Sequence, residues 1–209
     1  MERESPLKCV VITLKNSYDK KIFSTIGASN HSTHERQNND FYATSPIAAH
    51  ILIGAMEERL SNKIWECACG TGHLSRVFIE RGYEVRSTDV IDRGYGQVQD
   101  FLSEEDFDWK GDIVTNPPYK HALEFCKKAL QTVQSERYVC MFLKLTFLEG
   151  KARKSFFEDN PPKYVFVSSS RIQCAMNGDF DSYPSSAIAY AWFVWQKGYK
   201  GDCIVRWIN

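Results

Sequence analysis

The sequence has no excess of either charge, no long apolar run and no paired-cysteine motif. Its 209 residues contain 26 Lys and Arg against 26 Asp and Glu, so no whole-molecule field attracts a polyanion, although a local basic face remains open. The opening stretch MERESPLKCVVITLK mixes acids and bases around a short apolar segment, and no later segment reaches the length of a membrane span. We therefore expect no signal peptide, no membrane partner and a cytoplasmic location.

The cysteines and histidines also lack the spacing of a metal site. The seven cysteines are scattered, odd in number and often set in apolar runs, which favours reduced and mostly buried thiols. Cys67 and Cys69 have only one residue between them, which is poor spacing for a closed zinc site, and the pair His31 and His34 has no neighbouring Cys or acidic partners. We predict no metal.

The chain has the length of one domain, with an unusual beginning. Residues 1–40 contain a short possible strand at 9–14 and then a long polar segment, which predicts either a functional flap or an unstructured arm. From residue 41 to 209, strand-like and helix-like segments alternate, and Ser45 before Pro46 predicts a helix N-cap. This alternation predicts an α/β, Rossmann-like, mostly parallel sheet with helices on both faces. No helix is predicted between the strands at 163–170 and 187–196. We therefore expect these two strands to pair antiparallel at one edge of the sheet.

A glycine turn lies between the first strand of this pattern and its helix. In ECACGTG (66–72), Gly70 and Gly72 permit positive φ and close approach of a ligand to the backbone. Asp89 ends the next strand about 20 residues later, where an acid suits two ribose hydroxyls. Ser75 occupies the position of the third glycine in the dinucleotide-binding fingerprint. Glu66 would repel a pyrophosphate but could accept a hydrogen bond from an amino group. The pattern favours a nucleoside-bearing ligand that is not a nicotinamide dinucleotide, with tight helix packing as the alternative.

A second acid follows near the end of a possible third strand. In GQVQDFLSEEDF, Asp100 could accept a hydrogen bond from an adenine amino group and Phe101 could cover the ring. The alternative, equally compatible with these residues, is that Asp100 lies in a solvated acidic loop and that Phe101 packs in the core.

The stretch DIVTNPPYK (112–120) is the most specific feature of the sequence. Pro117 and Pro118 cannot continue a strand ladder and fix φ, so they form a rigid platform at a strand end. This platform would present the Asn116 side-chain oxygen and the Pro117 carbonyl as acceptors beside the ring of Tyr119. Two acceptors and a stacking ring suit a planar amino group and would offset charge that develops on its nitrogen. The alternative is a proline turn that merely ends the strand.

Together these motifs resemble class I S-adenosylmethionine-dependent amino-methyltransferases. The stretches DFYATSP, ECACGTG, TDVIDRGYG, TNPPY and AYAWFVW are more narrowly similar to the phage- and prophage-type adenine-N6 DNA methyltransferases, over roughly residues 27–209. The NPPY motif is shared by enzymes that act on DNA adenine, RNA and protein glutamine. DFYATSP and TDVIDRGYG are the stretches that point to the phage DNA group.

The resemblance implies an adenine-specific DNA methyltransferase, a cytoplasmic enzyme of a bacterial host or a phage-infected cell, that binds S-adenosylmethionine and DNA. It implies catalytic roles at the target base for Asn116, Pro117, Pro118 and Tyr119. It implies cofactor contacts for Tyr42, Thr44, Glu66, Cys69, Gly70, Gly72, Asp89, Asp100 and Phe101. The same chemistry on RNA adenine or protein glutamine, and a non-catalytic protein that binds nucleic acid or cofactor, stay open as alternatives.

Two departures concern specificity and the turn. Only about forty residues separate the glycine turn from NPPY, which is too few for an inserted target-recognition domain, so we expect one catalytic domain over 41–209 whose loops touch the substrate. Glu66 and Cys67 also replace a proline-containing version of the turn. Basic residues near predicted strand ends are candidates for substrate contacts: Lys120, Lys144, Arg153 and Arg171.

Overall fold

The fold is built from ten strands and four α-helices in the part of the chain that the computed structural model describes, residues 42–176, 180 and 188–209. The strand predicted at 9–14 and the polar segment after it lie outside these residues. The strands are β1 Tyr42–Thr44, β2 Lys63–Glu66, β3 Glu84–Asp89, β4 Gln97–Val98, β5 Asp112–Thr115, β6 Tyr138–Lys144, β7 Tyr164–Ser168, β8 Cys174–Met176, β9 Tyr190–Gln196 and β10 Ile204–Ile208. The helices are α1 Ile47–Met56, α2 His73–Glu80, α3 Ala122–Thr132 and α4 Lys151–Asp159.

Eight strands form one mixed sheet in the order β10-β7-β9-β6-β5-β2-β3-β4, while β1 and β8 form a separate antiparallel ribbon. Only β9 runs against its neighbours, β6 and β7, and the other described pairs of this sheet are parallel. The predicted fold class is confirmed. The two last predicted strands do pair antiparallel, but β9 lies inside the sheet because β7 and then β10 extend it further.

Alternating side chains on the strands build two apolar layers. Ile64 and Val114 pack with α1 and α2 on one face, whereas Trp65 and Ile113 pack with α3 and α4 on the other. This period of two is what a sheet covered on both sides requires. None of the described helices is long and apolar enough to cross a membrane.

The start of α1 differs from the prediction. The helix begins at Ile47 and makes no side-chain cap hydrogen bond. The Ser45 carbonyl instead accepts from the Ala48 amide at 2.9 Å, since Pro46 is already in the right-handed helical region. The Ser45 side chain is therefore not the predicted N-cap.

Candidate functional site

The glycine turn links β2 to α2 at the carboxyl edge of the sheet, where ligands of open parallel sheets bind. Gly70 and Gly72 have φ of 55° and 82°, which are left-handed values that favour glycine. A Cβ at Gly72 would overlap the ring of Tyr95, which lies directly on the turn. The Arg76 guanidinium covers that ring at 4.7 Å from its centroid. Position 72 thus requires glycine for both its backbone conformation and its packing.

Asp89, at the end of β3, is fixed against this turn. Its Oδ2 accepts from the Gly70 amide at 2.9 Å and its Oδ1 accepts from the Ile91 amide at 3.0 Å. Each carboxylate oxygen can accept one more hydrogen bond, so the two oxygens could accept from the two hydroxyl groups of a ribose. Val90, which follows, is 58% exposed and offers an apolar surface beside the carboxylate. Sequence reasoning missed Val90, although an apolar residue directly after a strand-end acid was a usable signal.

Glu66 is buried behind the turn, at 3% exposure. Ser75 Oγ donates to its carboxyl group, and Ser75 is joined to Ser87 through their hydroxyl oxygens at 2.6 Å. Burial raises the pKa of Glu66 to about 8, against a smaller lowering by the bonds to Ser75. The residue in the third-glycine position therefore serves as partner to Glu66, and the predicted contact of Glu66 with an amino group stays a prediction.

The two cysteines of the turn are inert thiols. Burial raises the pKa of Cys69 to about 12 and that of Cys67 well above its usual value, and the charge of Glu66 acts in the same direction. Cys69 Sγ lies 3.7 Å from the Tyr95 carbonyl, inside the packing between the turn and the loop after β3. No cluster of three or more potential metal-ligating side chains occurs within the described residues.

The structure corrects the role of Phe101 and separates it from Asp100. Phe101 is 1% exposed and contacts Trp65, Phe107 and Phe125 in the core at centroid distances between 5.2 and 6.0 Å. A ring enclosed on this scale cannot cover an adenine, so the core alternative holds. Asp100 is exposed at the same edge, where its Oδ1 accepts from the amide of Leu102 at 2.8 Å.

Asn116 follows β5, the neighbour of β2, so NPPY lies beside the glycine turn. Its Nδ2 donates to Thr44 Oγ1 at 2.6 Å and lies 3.4 Å from the Tyr42 carbonyl oxygen. Its Oδ1 is buried and has no hydrogen-bond partner among the described residues. Buried acceptors are nearly always paired in folded proteins. An unpaired buried acceptor at a strand end is therefore a candidate for contact with a ligand donor.

The two prolines hold this oxygen in place. The Pro118 carbonyl accepts from the His121 amide at 2.9 Å and so starts the short 3₁₀ turn that leads into α3. The Pro117 carbonyl accepts no backbone hydrogen bond from the described part of the chain. Asn116 Oδ1 and the Pro117 carbonyl are therefore two acceptors without a hydrogen-bond donor among the described residues, and their predicted contact with an amino group stays a prediction.

Tyr119 is less open than the sequence suggests. Its hydroxyl lies 3.7 Å from Cys174 Sγ, and its ring centroid is 5.9 Å from that of Tyr190. Burial raises its pKa well above the usual value. Lys144 Nζ lies 4.8 Å from the ring centroid of Tyr119, so a cation occupies the neighbourhood in which the sequence predicts a stacked base.

The four basic candidates divide into two groups. Lys120 and Arg171 are exposed, and Lys144 has no acidic or hydrogen-bonding partner among the described residues. Arg153 is engaged elsewhere: its Nε donates to the Phe147 carbonyl at 2.8 Å, and its Nη2 donates to the carbonyls of Thr146 and Glu149. Arg153 thus ties the loop after β6 to α4, and its predicted substrate contact stays a prediction.

No protein-family model matches the sequence, and no curated protein matches it either. Solved structures do match. The modification subunit of a proposed type I restriction enzyme from Vibrio vulnificus has a TM-score of 0.58 at 12% identity, over 90% of this chain and 50% of that one. A proposed RNA methyltransferase from Pyrococcus horikoshii has a TM-score of 0.52 at 14% identity, over 73% and 82%.

A proposed class I S-adenosylmethionine-dependent methyltransferase from Listeria monocytogenes has a TM-score of 0.51 at 13% identity, over 77% of this chain and 62% of that one. The present chain thus spans half to four fifths of the length of these three proteins. At such low identity the likeness concerns the fold. The chain therefore has the Rossmann-like fold that is found in these three solved structures.

Proposed function

We propose that the protein is an S-adenosylmethionine-dependent methyltransferase that acts on the N6 amino group of adenine in DNA. The observation that carries the proposal is the buried, unpartnered Oδ1 of Asn116, set in NPPY beside a glycine turn. The shared fold with proteins described as methyltransferases supports the cofactor, and the modification subunit among them supports nucleic acid as substrate.

The residues of the turn suit the cofactor. S-adenosylmethionine would supply a methyl group activated on a sulfonium sulfur. Gly70 and Gly72 would let it approach the backbone, Asp89 would accept from the ribose hydroxyls, and Asp100 is placed to accept from an adenine amino group. The exposed side chain of Val90 would offer the base an apolar face.

The residues of NPPY suit the acceptor. Asn116 Oδ1 and the Pro117 carbonyl would accept the two hydrogens of the amino group, so that its nitrogen lone pair is free to attack in line. Positive charge would develop on this nitrogen as it takes up the methyl group in place of the sulfonium sulfur, and the two oxygens would stabilise that charge. The excess proton then passes to water. An adenine must leave the stack to reach these oxygens.

Lys144 supports nucleic acid over a protein glutamine. It is a half-buried ammonium without an anionic partner among the described residues, and it lies against the ring of Tyr119. A cation in that position fits the phosphate beside a flipped nucleotide, whereas a glutamine side chain offers no charge.

We expect Lys144→Met to raise KM for DNA about tenfold at low salt and to reduce the slope of log affinity against log salt by about 1, since one phosphate contact is lost. The measurement is methyl transfer kinetics at several salt concentrations. Lys144→Arg should keep the slope. Lys127→Met, at an exposed lysine of α3, is the matched control. An unchanged slope in Lys144→Met would contradict the phosphate contact.

The proposed function is tested by offering the purified protein labelled S-adenosylmethionine with unmethylated DNA, RNA and a protein lysate in parallel. We expect label in DNA. Label in RNA or protein alone would overturn the substrate but keep the chemistry. Cofactor binding in calorimetry without transfer to any pool would instead favour a non-catalytic binding protein.

A further inference from the structure

The ribbon formed by β1 and β8 reaches the NPPY motif from outside the main sheet. Tyr42 pairs with Met176 and Thr44 pairs with Cys174, and the contact of Thr44 with Asn116 places it at the end of β5. Thr44 is 3% exposed, and its Oγ1 lies 2.6 Å from Asn116 Nδ2 although the two residues are 72 positions apart. A partly buried hydrogen bond of this length holds both side chains in one arrangement.

This contact decides which end of the Asn116 amide faces the substrate. The two ends of an asparagine amide are nearly the same shape, and their assignment depends on the surrounding hydrogen bonds. The Tyr42 carbonyl can only accept, and a threonine hydroxyl can also accept, so the NH₂ end is held on the side of β1. The oxygen is thereby directed to the opposite side, where it has no partner.

We propose that Thr44 is a positioning residue for Asn116, an inference that rests on the proposed function. Its hydroxyl, with the Tyr42 carbonyl behind it, keeps the amide in the orientation in which Oδ1 can accept from the target amino group. Without that bond only the longer 3.4 Å contact with the Tyr42 carbonyl holds the amide, so the amide can rotate more easily and present its own NH₂ donors to the substrate amine. Thr44 therefore acts on catalysis through Asn116, which differs from the cofactor contact that the sequence predicts for it.

Thr44→Val keeps the shape of the side chain and removes the acceptor. We expect it to lower kcat about 10- to 100-fold, as for the loss of one group that supports transition-state charge, with KM for DNA and Kd for S-adenosylmethionine changed less than about threefold. Thr44→Ser keeps the hydroxyl and should restore most of the lost kcat. Thr132→Val is the control for loss of a threonine hydroxyl elsewhere. The Thr132 hydroxyl donates to the Lys128 carbonyl near the end of α3.

A second readout does not depend on turnover. The side-chain ¹⁵N amide signals of Asn116 can be assigned by their loss in Asn116→Ala, and their solvent exchange measured in the protein without added substrate. Thr44→Val should speed this exchange about tenfold, whereas Thr44→Ser and Thr132→Val should leave it near the wild-type rate. Thermal unfolding of each variant verifies that it folds.

The outcomes separate the two proposals. Unchanged Asn116 exchange in Thr44→Val, or equal loss of kcat in Thr44→Val and Thr44→Ser, would overturn the positioning role. A fall in cofactor affinity as large as the fall in kcat would overturn it in favour of a cofactor contact. If the wild-type protein transfers no methyl group to any acceptor, the proposed function fails, while the exchange rates still decide whether Thr44 orients Asn116.

Discussion

Asn116→Ala is expected to lower kcat for DNA methylation by about 10³-fold, because it removes the acceptor for the charge that develops on the target nitrogen. The loss is expected to fall on catalysis rather than on cofactor binding. Asn116 follows β5, whereas the proposed cofactor contacts lie on the β2 turn and at the ends of β3 and β4. The Kd for S-adenosylmethionine should therefore stay within about threefold of wild type. Single-turnover transfer and calorimetry measure the two quantities on the same preparation.

Asn62→Ala is the matched control for this variant. Asn62 is exposed and precedes β2 at the opposite edge of the sheet, so we expect wild-type kcat. Full activity of Asn116→Ala would refute the role of the amide oxygen.

Glu66→Gln is expected to increase the free energy of unfolding at pH 8 by about 4 kcal/mol. The pKa of Glu66 rises from 4.5 to about 8 on folding, chiefly through burial. The folded state therefore binds more protons than the unfolded state between these values. The contribution of Glu66 is most favourable below about pH 4.5 and is lost as the pH rises to about 8. Glutamine stays neutral and keeps an acceptor for Ser75.

The measurement is denaturant unfolding of both proteins between pH 5 and 9. The difference between variant and wild type should be small at pH 5 and should grow towards pH 8. Taking this difference isolates Glu66 from other buried acids such as Asp112, whose pKa is also raised by burial. Glu80→Gln, at an exposed position of α2, should give no such growth. Parallel stability curves for wild type and Glu66→Gln would show that Glu66 is not buried in the folded protein as described.

The main sheet could be predicted from the sequence because its strands carry strong local patterns. β6 and β9 are continuous apolar runs, and β2 and β5 end in a glycine turn and in NPPY, so the motifs themselves locate the strand ends. β1 and β8 have three residues each, which is too short for any period to appear. The ribbon, and with it the contact between Thr44 and Asn116, depends on pairing between distant segments that no local pattern contains.

The differences between the predicted and the observed surroundings of the site residues have a related cause. Phe101 and Arg153 have suitable chemistry and lie near strand ends, yet sequence position does not tell whether a side chain faces the core, a neighbouring loop or a ligand. Phe101 is drawn inward by the aromatic side chains around Trp65, and Arg153 is used by three carbonyl groups of one loop. Asp89 and Asn116 were placed correctly at their strand ends, because an acid or an amide there has few apolar neighbours to pack with.

The most direct test of the account is nucleoside mass spectrometry of unmethylated DNA after incubation with the protein and S-adenosylmethionine carrying a deuterated methyl group. We expect deuterated N6-methyladenine with the wild-type protein and about 10³-fold less of it with Asn116→Ala. Deuterated methyl on another base, or no labelled nucleoside while the cofactor is bound, would contradict it.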